Sequence, residues 1–195
     1  GICEKLDGKV DMIELNISCP NVKCGGMAFG IRPESVNEVT KVSKSALKKT
    51  PLMVKLSPNV ESIAANAAAA QKGGADAVSL INTLTGMVVD IERRRPLIAN
   101  NTGGVSGAGI KPIAVRMVWE ACNAVDIPVM GMGGITSAED ALEFIIAGAA
   151  AVQVGTANFT DTLAMPKIIE GLNAWLDSHG VADVNELRGT LKLNG

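Results

Sequence analysis

The segment Asn16-Ile17-Ser18-Cys19-Pro20-Asn21 places a thiol in a polar loop directly after a short apolar run. A free cysteine has a pKa of about 8.5, so near neutral pH its thiolate can act as a base when neighbouring groups stabilise it. The chain has no tyrosine, and its single histidine, His179, lies far along the sequence. Cys19 is therefore the predicted proton-transfer group, and Ser18 can help to orient it.

The four cysteines give no sign of a disulfide framework or a metal site. Cys3, Cys19, Cys24 and Cys122 include no CxxC pair and are few for 195 residues, which is typical of a reducing cytoplasm, the predicted localisation. A zinc site at Cys19 and Cys24 would need two further ligands, so we predict no metal.

Three polar side chains stand at the ends of apolar runs, where packing alone does not explain them. Lys55 ends the run Leu52–Leu56 and needs a counter-charge, which an anionic cofactor ring would supply; a lysine reaching to the surface is the alternative. Asn16 and Asn82 each offer a donor and an acceptor, which suits the edge of a planar heterocycle. Their alternative is a cap at a turn or strand end.

Two glycine-containing loops could bind a phosphate group. Gly133-Gly134 precedes a predicted helix that begins near Thr136-Ser137, and Gly155-Thr156 precedes another turn. Backbone N–H groups in such loops, helped by a helix N-terminus, bind anions after the last strands of β/α barrels. Glycines that serve only a positive φ angle are the alternative.

The elements that must position these residues alternate between short apolar runs and helical stretches. The predicted strands are Met12–Ile17, Leu52–Leu56, Ala77–Ile81, Val129–Met132 and Ala151–Val154, and the predicted helices cover about 33–49, 60–73, 111–125, 137–148 and 163–178. This alternation predicts parallel strands, and continuous apolar strands indicate a sheet covered by helices. Since active sites of β/α barrels lie at the carboxyl ends of the strands, we expect the five following loops to converge on one cavity.

We predict one α/β domain over residues 1–195: a (β/α)8 TIM barrel truncated at the N-terminus, with about five of eight βα units and the others before residue 1. An open five-stranded sheet is the alternative. Residues 84–110, rich in Gly, Asn and Thr around Arg93-Arg94-Arg95, predict a β-hairpin inserted in a βα loop.

The composition excludes several functional classes. With 47% hydrophobic residues and a net charge of −2, the chain is too apolar for intrinsic disorder and has no basic stripe for nucleic acid. No apolar run reaches the ~18 residues that a membrane span needs, and no signal peptide is evident.

Six segments together resemble the dihydroorotate dehydrogenase family over essentially the whole chain, in family order and at family-like spacing. They are Asn16–Lys23, Val54–Asn59, Ile81–Thr83, Gly103–Gly107, Gly131–Ile135 and Val154–Asn158. Other barrel proteins share the phosphate loops, so the combination carries the specificity.

The resemblance implies FMN-dependent oxidation of (S)-dihydroorotate to orotate in de novo pyrimidine biosynthesis. Cys19 would be the base that removes the C5 proton while the C6 hydride passes to the flavin. Asn16, Asn82 and Thr83 would bind the substrate. The implied FMN contacts are Asn16, Lys55, Ile81, Gly107, Gly133, Gly134, Gly155 and Thr156. Further family contacts belong to the first three barrel strands, upstream of residue 1.

The resemblance also indicates the oxidant. A cysteine rather than a serine base argues against the membrane-bound, quinone-using class, and Asn21–Gly30 resembles the NAD-linked heteromeric type (1B) more than the fumarate-using homodimer. This implies a homodimer of catalytic subunits paired with an iron–sulfur flavoprotein subunit that carries FAD and a [2Fe–2S] cluster. Two alternatives stay open: a dihydropyrimidine dehydrogenase-like flavin reductase, and an inactive barrel fragment.

Overall fold

The computed structural model describes residues 1–18 and 29–194. The strands within them are β1 (Ile13–Asn16), β2 (Leu52–Lys55), β3 (Ala77–Leu80), β4 (Leu84–Gly86), β5 (Val89–Asp90), β6 (Arg95–Pro96), β7 (Gly103–Val105), β8 (Val129–Met132) and β9 (Ala151–Gln153). Five of them form one sheet in the order β1–β2–β3–β8–β9, and every neighbouring pair is parallel. Each strand–helix unit therefore pairs with the next one, as the alternating pattern predicts.

A layer of helices covers one face of this sheet. The helices are α1 (Ile2–Leu6), α2 (Pro33–Ser45), α3 (Ile63–Lys72), α4 (Lys111–Cys122), α5 (Ala138–Ile146), α6 (Ala157–Thr160) and α7 (Ala164–His179), with 3₁₀ turns at Ala108–Ile110 and Val184–Leu187. Helices α2 to α5 each pack on the next, and α7 packs on α5. Among the helices of the described residues, none is long and apolar enough to cross a membrane.

The hydrophobic core lies between the sheet and the helices. Every residue of β3 is buried, and in β2 only Lys55 is partly exposed, which agrees with the continuous apolar runs of the sequence. Phe144 from α5 and Val118 from α4 are fully buried in this core. Burying a side chain of this kind contributes roughly 1.5–3 kcal/mol, so the core fixes the strands on which the polar residues stand.

The five predicted strands are confirmed to within one residue at each end, whereas three predicted helix boundaries were wrong by three or more residues. One of them is the end of α4, which lies at Cys122 rather than at 125. Helix α2 ends at Ser45 rather than at 49, because the Asp7 carboxylate accepts the backbone N–H groups of Lys48, Lys49 and Thr50 at 3.1, 2.9 and 2.9 Å and turns the chain into β2. These bonds, led by the one from Thr50, lower the pKa of Asp7 to about 2.

Helix α3 begins at Ile63 rather than at 60. Ser62 is its N-cap, and the Ser62 Oγ accepts the N–H of Ala65 at 3.2 Å. A serine cap satisfies one of the four N–H groups that a helix start leaves free, so it fixes the first turn at this residue.

The segment 84–110 forms two small antiparallel sheets, one nested inside the other. Strand β4 pairs with β7, and β5 pairs with β6, with Val89 opposite Pro96. Arg93 and Arg94 lie in the turn between β5 and β6, and the Arg93 Nε is 3.7 Å from the Asp90 carboxylate. This segment lies between β3 and α4, so it begins at the carboxyl end of a strand of the main sheet.

Candidate functional site

A cavity of about 220 Å³ lies at the carboxyl ends of β2, β3, β8 and β9. Its walls are Lys55, Ile81, Asn82, Thr83, Ser106, Gly107, Ile110, Met132, Gly133, Gly134, Ile135, Thr136, Gln153, Val154, Gly155, Thr156 and Ala157. This volume is below the ~300–1,000 Å³ of typical ligand pockets, so the described residues form part of the walls that such a ligand needs.

Most of the predicted site residues meet at this cavity. The nine that line it are Lys55, Ile81, Asn82, Thr83, Gly107, Gly133, Gly134, Gly155 and Thr156. Asn16 does not belong to the lining, but it contacts it through a hydrogen bond from the Asn82 side chain. Cys19, the predicted base, lies outside the described residues.

The side chains of Asn16, Ser18 and Asn82 form one hydrogen-bonded group at the ends of β1 and β3. The Asn82 Nδ2 donates to the Asn16 Oδ1 at 3.1 Å and to the Ser18 Oγ at 2.7 Å, and the Asn82 Oδ1 accepts the N–H of Thr83 at 2.7 Å. Ser18 is buried, and its hydroxyl also lies 3.3 Å from the Lys55 carbonyl oxygen. Both Asn82 amide hydrogens are thus engaged, so Asn82 can accept one more bond or must exchange one to donate to a ligand.

In Asn16, by contrast with Asn82, the side-chain hydrogen bonds among the described residues all involve the amide oxygen. Its Oδ1 accepts from the Ser18 N–H and the Ser18 hydroxyl, both at 3.2 Å, as well as from Asn82. Within the described residues its Nδ2 donates to no protein acceptor. Asn16 therefore presents a fixed donor, which suits a carbonyl or carboxylate oxygen of a ligand.

Lys55 finds its counter-charge within the chain, which the sequence reasoning did not predict. Its Nζ lies 3.4 Å from the Oε1 of Glu14, and its side chain is 21% exposed. A cofactor ring is therefore not needed to balance this charge, and the contact of Lys55 with such a ring stays a prediction. The ion pair still leaves ammonium hydrogens for a ligand, because Lys55 has three donors.

Gly134, Gly155 and Thr156, which belong to the two glycine-containing loops, line the cavity. Among the described residues, no hydrogen bond uses the N–H groups of Gly134, Gly155 or Thr156. A β-carbon on Gly134 would lie 2.8 Å from the Gly107 oxygen and 2.9 Å from the Lys111 nitrogen, and its φ is +76°, so only glycine fits there. The Thr156 hydroxyl donates to the Ser106 Oγ at 2.8 Å and joins two loops of the cavity mouth.

The N-terminus of α5 is engaged by the chain itself rather than left free for an anion. The Asp140 Oδ2 accepts the N–H groups of Thr136 and Ser137 at 2.8 and 3.1 Å, and the Ser137 Oγ accepts the Asp140 N–H in return. The predicted contribution of this helix start to anion binding is therefore reduced, because Thr136, Ser137 and Asp140 donate their N–H groups within the chain.

A lysine balances the carboxylates beside these loops. The Lys111 Nζ lies 2.6 Å from the Asp140 Oδ1 and also pairs with Glu143. Burial alone would raise the pKa of Asp140, but hydrogen bonds from Lys111 and Thr136 outweigh it and lower that pKa to about 2. The same contacts, first that with Asp140, raise the pKa of Lys111. The group ties the start of α4 to the start of α5.

Three polar residues beside the cavity were missed from the sequence: Glu14, Gln153 and Ser79. The Glu14 Oε2 accepts hydrogen bonds from Ser79 Oγ at 2.9 Å and from Gln153 Nε2 at 3.1 Å. Their signal was a polar side chain inside a short apolar strand, namely Glu14 between Ile13 and Leu15, and Gln153 after Val152. The pattern gives their presence but not their contact, because 139 residues separate the two.

The chain matches the family model for dihydroorotate dehydrogenase over residues 1–176. It is 56% identical to the dihydroorotate dehydrogenase B (NAD(+)) catalytic subunit of Bacteroides fragilis, over 98% of this chain and 63% of that protein. The subunit of the same name from Alkaliphilus metalliredigens is 55% identical, over 95% of this chain and 61% of that protein. The chain thus spans less than two thirds of the length of these relatives.

A solved structure shares the fold. The crystal structure of the dihydroorotate dehydrogenase of Eimeria tenella in complex with ferulenol superposes with a TM-score of 0.80, at 22% identity, over 97% of this chain and 57% of that one. This similarity and the observed sheet confirm the predicted fold class, α/β with part of a (β/α)8 barrel.

Proposed function

The chain belongs to the dihydroorotate dehydrogenase family, and from this premise we propose that it binds FMN and oxidises (S)-dihydroorotate to orotate in pyrimidine biosynthesis. One observation supports the proposal most strongly. Nine residues that the sequence motifs mark for cofactor or substrate line a single cavity at the carboxyl ends of the strands. In β/α barrels this end carries the active site.

The described residues fit FMN. Gly155 lines the cavity, its φ is not positive, and a β-carbon on it would meet no heavy atom of the described residues within 4 Å. Neither backbone conformation nor packing requires glycine there, whereas the close approach of a phosphate does. Lys55, which also lines the cavity, offers a cation to the flavin ring.

The chain's own residues would orient and deprotonate the substrate. Bound FMN supplies the hydride acceptor for the C6 hydrogen. Cys19, next in the chain after the buried Ser18, would remove the C5 proton as the thiolate. Asn16 would donate its Nδ2 hydrogens to a substrate oxygen, and Asn82 and Thr83 would complete the substrate contacts.

We further propose that the electrons leave to NAD(+) through a partner subunit. The two curated relatives named above are catalytic subunits of the NAD(+) type, a name that implies a second subunit. The proposed assembly is a cytoplasmic homodimer of catalytic subunits with an iron–sulfur flavoprotein that carries FAD and a [2Fe–2S] cluster.

Anaerobic reduction of the FMN-loaded protein tests the reaction. Dihydroorotate should bleach the flavin absorption near 450 nm, and dihydrouracil should not. Replacing Cys19 with alanine should slow this bleaching by about 10²–10⁴-fold, the usual contribution of a general base, while FMN stays bound. Cys3→Ala is the matched control and should reduce at the wild-type rate.

Each opposite result has a definite meaning. Bleaching by dihydrouracil alone would replace the proposal with a dihydropyrimidine dehydrogenase-like reaction. A chain that binds no FMN would favour an inactive barrel fragment. A Cys19→Ala variant that is reduced at the wild-type rate would remove Cys19 as the base.

A further inference from the structure

Glu14 lies in β1, and its carboxylate contacts side chains on three other strands, β2, β3 and β9. Its Oε1 is 3.4 Å from Lys55 Nζ on β2. Its Oε2 accepts from Ser79 Oγ on β3 at 2.9 Å and from Gln153 Nε2 on β9 at 3.1 Å. Lys55 and Gln153 line the cavity, so one carboxylate connects two separate parts of its wall.

Stability alone does not explain a carboxylate at this position. The Glu14 side chain is 27% exposed, and its partner Ser79 is fully buried. Solvent still reaches both members of this ion pair, and such a pair contributes little to stability because water screens it. What an apolar residue could not reproduce is a negative charge beside the Lys55 ammonium group.

The hydrogen bonds to Glu14 fix which of its two carboxylate oxygens lies beside Lys55. Ser79 and Gln153 both donate to the Oε2, which leaves the Oε1 on the side of Lys55. Ser79 is held in turn by β3 in the centre of the parallel sheet. The orientation of the carboxylate is thus set by three strands and does not depend on a ligand.

We propose that Glu14 is a positioning residue, which holds the Lys55 ammonium group at the cavity wall and offsets its positive charge. The inference rests on the proposed function, in which Lys55 contacts the flavin ring. Reduction adds negative charge to bound FMN, and an unpaired lysine would attract that charge strongly at the low effective dielectric of a cavity. Glu14 weakens this attraction, so it keeps the reduction potential of bound FMN low.

Replacing Glu14 with glutamine removes the charge and keeps most of the geometry, because the amide oxygen can still accept a hydrogen bond from Lys55. We expect the Glu14→Gln protein to prefer reduced over oxidised FMN about tenfold more than the wild type does. For a two-electron couple this is a rise of about 30 mV in reduction potential. Equilibrium reduction against a dye of known potential measures it.

A second background tests whether Glu14 acts through the lysine. In a Lys55→Gln protein, the shift caused by Glu14→Gln should fall to less than half, because the unpaired ammonium group is absent. An equal shift in both backgrounds would show that the carboxylate acts on the flavin directly and would overturn the role through Lys55.

Glu120→Gln is the matched control, since it removes a carboxylate that pairs with Arg116 on α4, away from the cavity, and should leave the potential unchanged. If Glu14→Gln does not fold, Glu14→Asp withdraws the charge from Lys55 and should shift the preference in the same direction, about threefold. An unchanged or lower potential with FMN bound overturns this inference and leaves the proposed function standing. A wild-type protein that binds no FMN overturns both.

Discussion

Gly155 lines the cavity and has only a hydrogen atom where other residues have a side chain, so a substitution there places atoms in the cavity. A β-carbon there would meet no heavy atom of the described residues within 4 Å, and the residue lines the cavity. We therefore predict that Gly155→Ala leaves the free energy of unfolding within about 0.5 kcal/mol of the wild-type value, as expected for a site without contacts. FMN affinity should fall at least tenfold, because the added methyl group occupies the space of the phosphate. Quenching of flavin fluorescence on titration measures this affinity.

Gly109 provides the matched control for this substitution. A β-carbon on Gly109 would also meet no heavy atom of the described residues within 4 Å, but Gly109 does not belong to the cavity lining. Gly109→Ala should therefore change neither stability nor FMN affinity. Equal FMN affinity in Gly155→Ala and the wild type would contradict a phosphate site at this loop.

The site could be predicted residue by residue only where a motif fixes the backbone. Glycines and asparagines directly after a strand have few packing roles, so Gly134, Gly155 and Asn82 stood out in the sequence. Glu14 and Gln153 could not be paired in this way, because their contact depends on how far the sheet curves between β1 and β9. Curvature is a property of the packed sheet, and no short segment encodes it.

At the scale of elements, the start of α5 depends on one carboxylate. Asp140 accepts from Thr136 and Ser137 and pairs with Lys111. Replacing Asp140 with asparagine should lower the free energy of unfolding at pH 7 by about 2 kcal/mol, the usual value for hydrogen bonds to a charged group. Urea denaturation followed by circular dichroism measures it.

The pH dependence of that loss identifies its cause. The pKa of Asp140 is lowered from 3.8 to about 2 in the folded chain, so its contribution is complete above about pH 4 and disappears as the pH falls towards 2. The difference between the wild type and Asp140→Asn should narrow over this range. Asp177→Asn, at an exposed carboxylate on α7 with no hydrogen bond among the described residues, should cost nothing at either pH. A constant difference from pH 7 to pH 2 would argue that packing rather than charge is responsible.

The presence and order of the strands and helices were predicted more accurately than the residues at which the helices end. The strands were predicted to within one residue because buried parallel strands are continuous apolar runs with polar residues at both ends. The end of α2 was missed because it is set by Asp7, which lies 43 residues before Thr50 and accepts its backbone N–H. The helical propensity of the sequence continues beyond Ser45, and the tertiary contact with Asp7 ends the helix.

At the scale of the whole molecule, the cavity joins parts of the chain that are distant in sequence. Its walls extend from Lys55 at the end of β2 to Ala157 at the start of α6. Strands β1 and β9 form the two edges of the sheet, and a hydrogen bond between the side chains of Glu14 and Gln153 links them. A ligand that contacts several strand ends at once therefore adds contacts between strands that are distant in sequence.

This arrangement predicts that FMN stabilises the whole domain and that its phosphate carries much of the effect. At a concentration one hundred times Kd, a ligand that binds only the folded state adds about 2.7 kcal/mol, which for a chain of this size corresponds to roughly 5–10 °C in Tm. Riboflavin, which has the ring but lacks the phosphate, should raise Tm by less than half as much at the same concentration. In the Gly155→Ala protein the two ligands should become alike, because the phosphate no longer fits. Differential scanning fluorimetry with both ligands measures these shifts, and equal shifts by FMN and riboflavin in the wild type would mean that the glycine loops do not bind the phosphate.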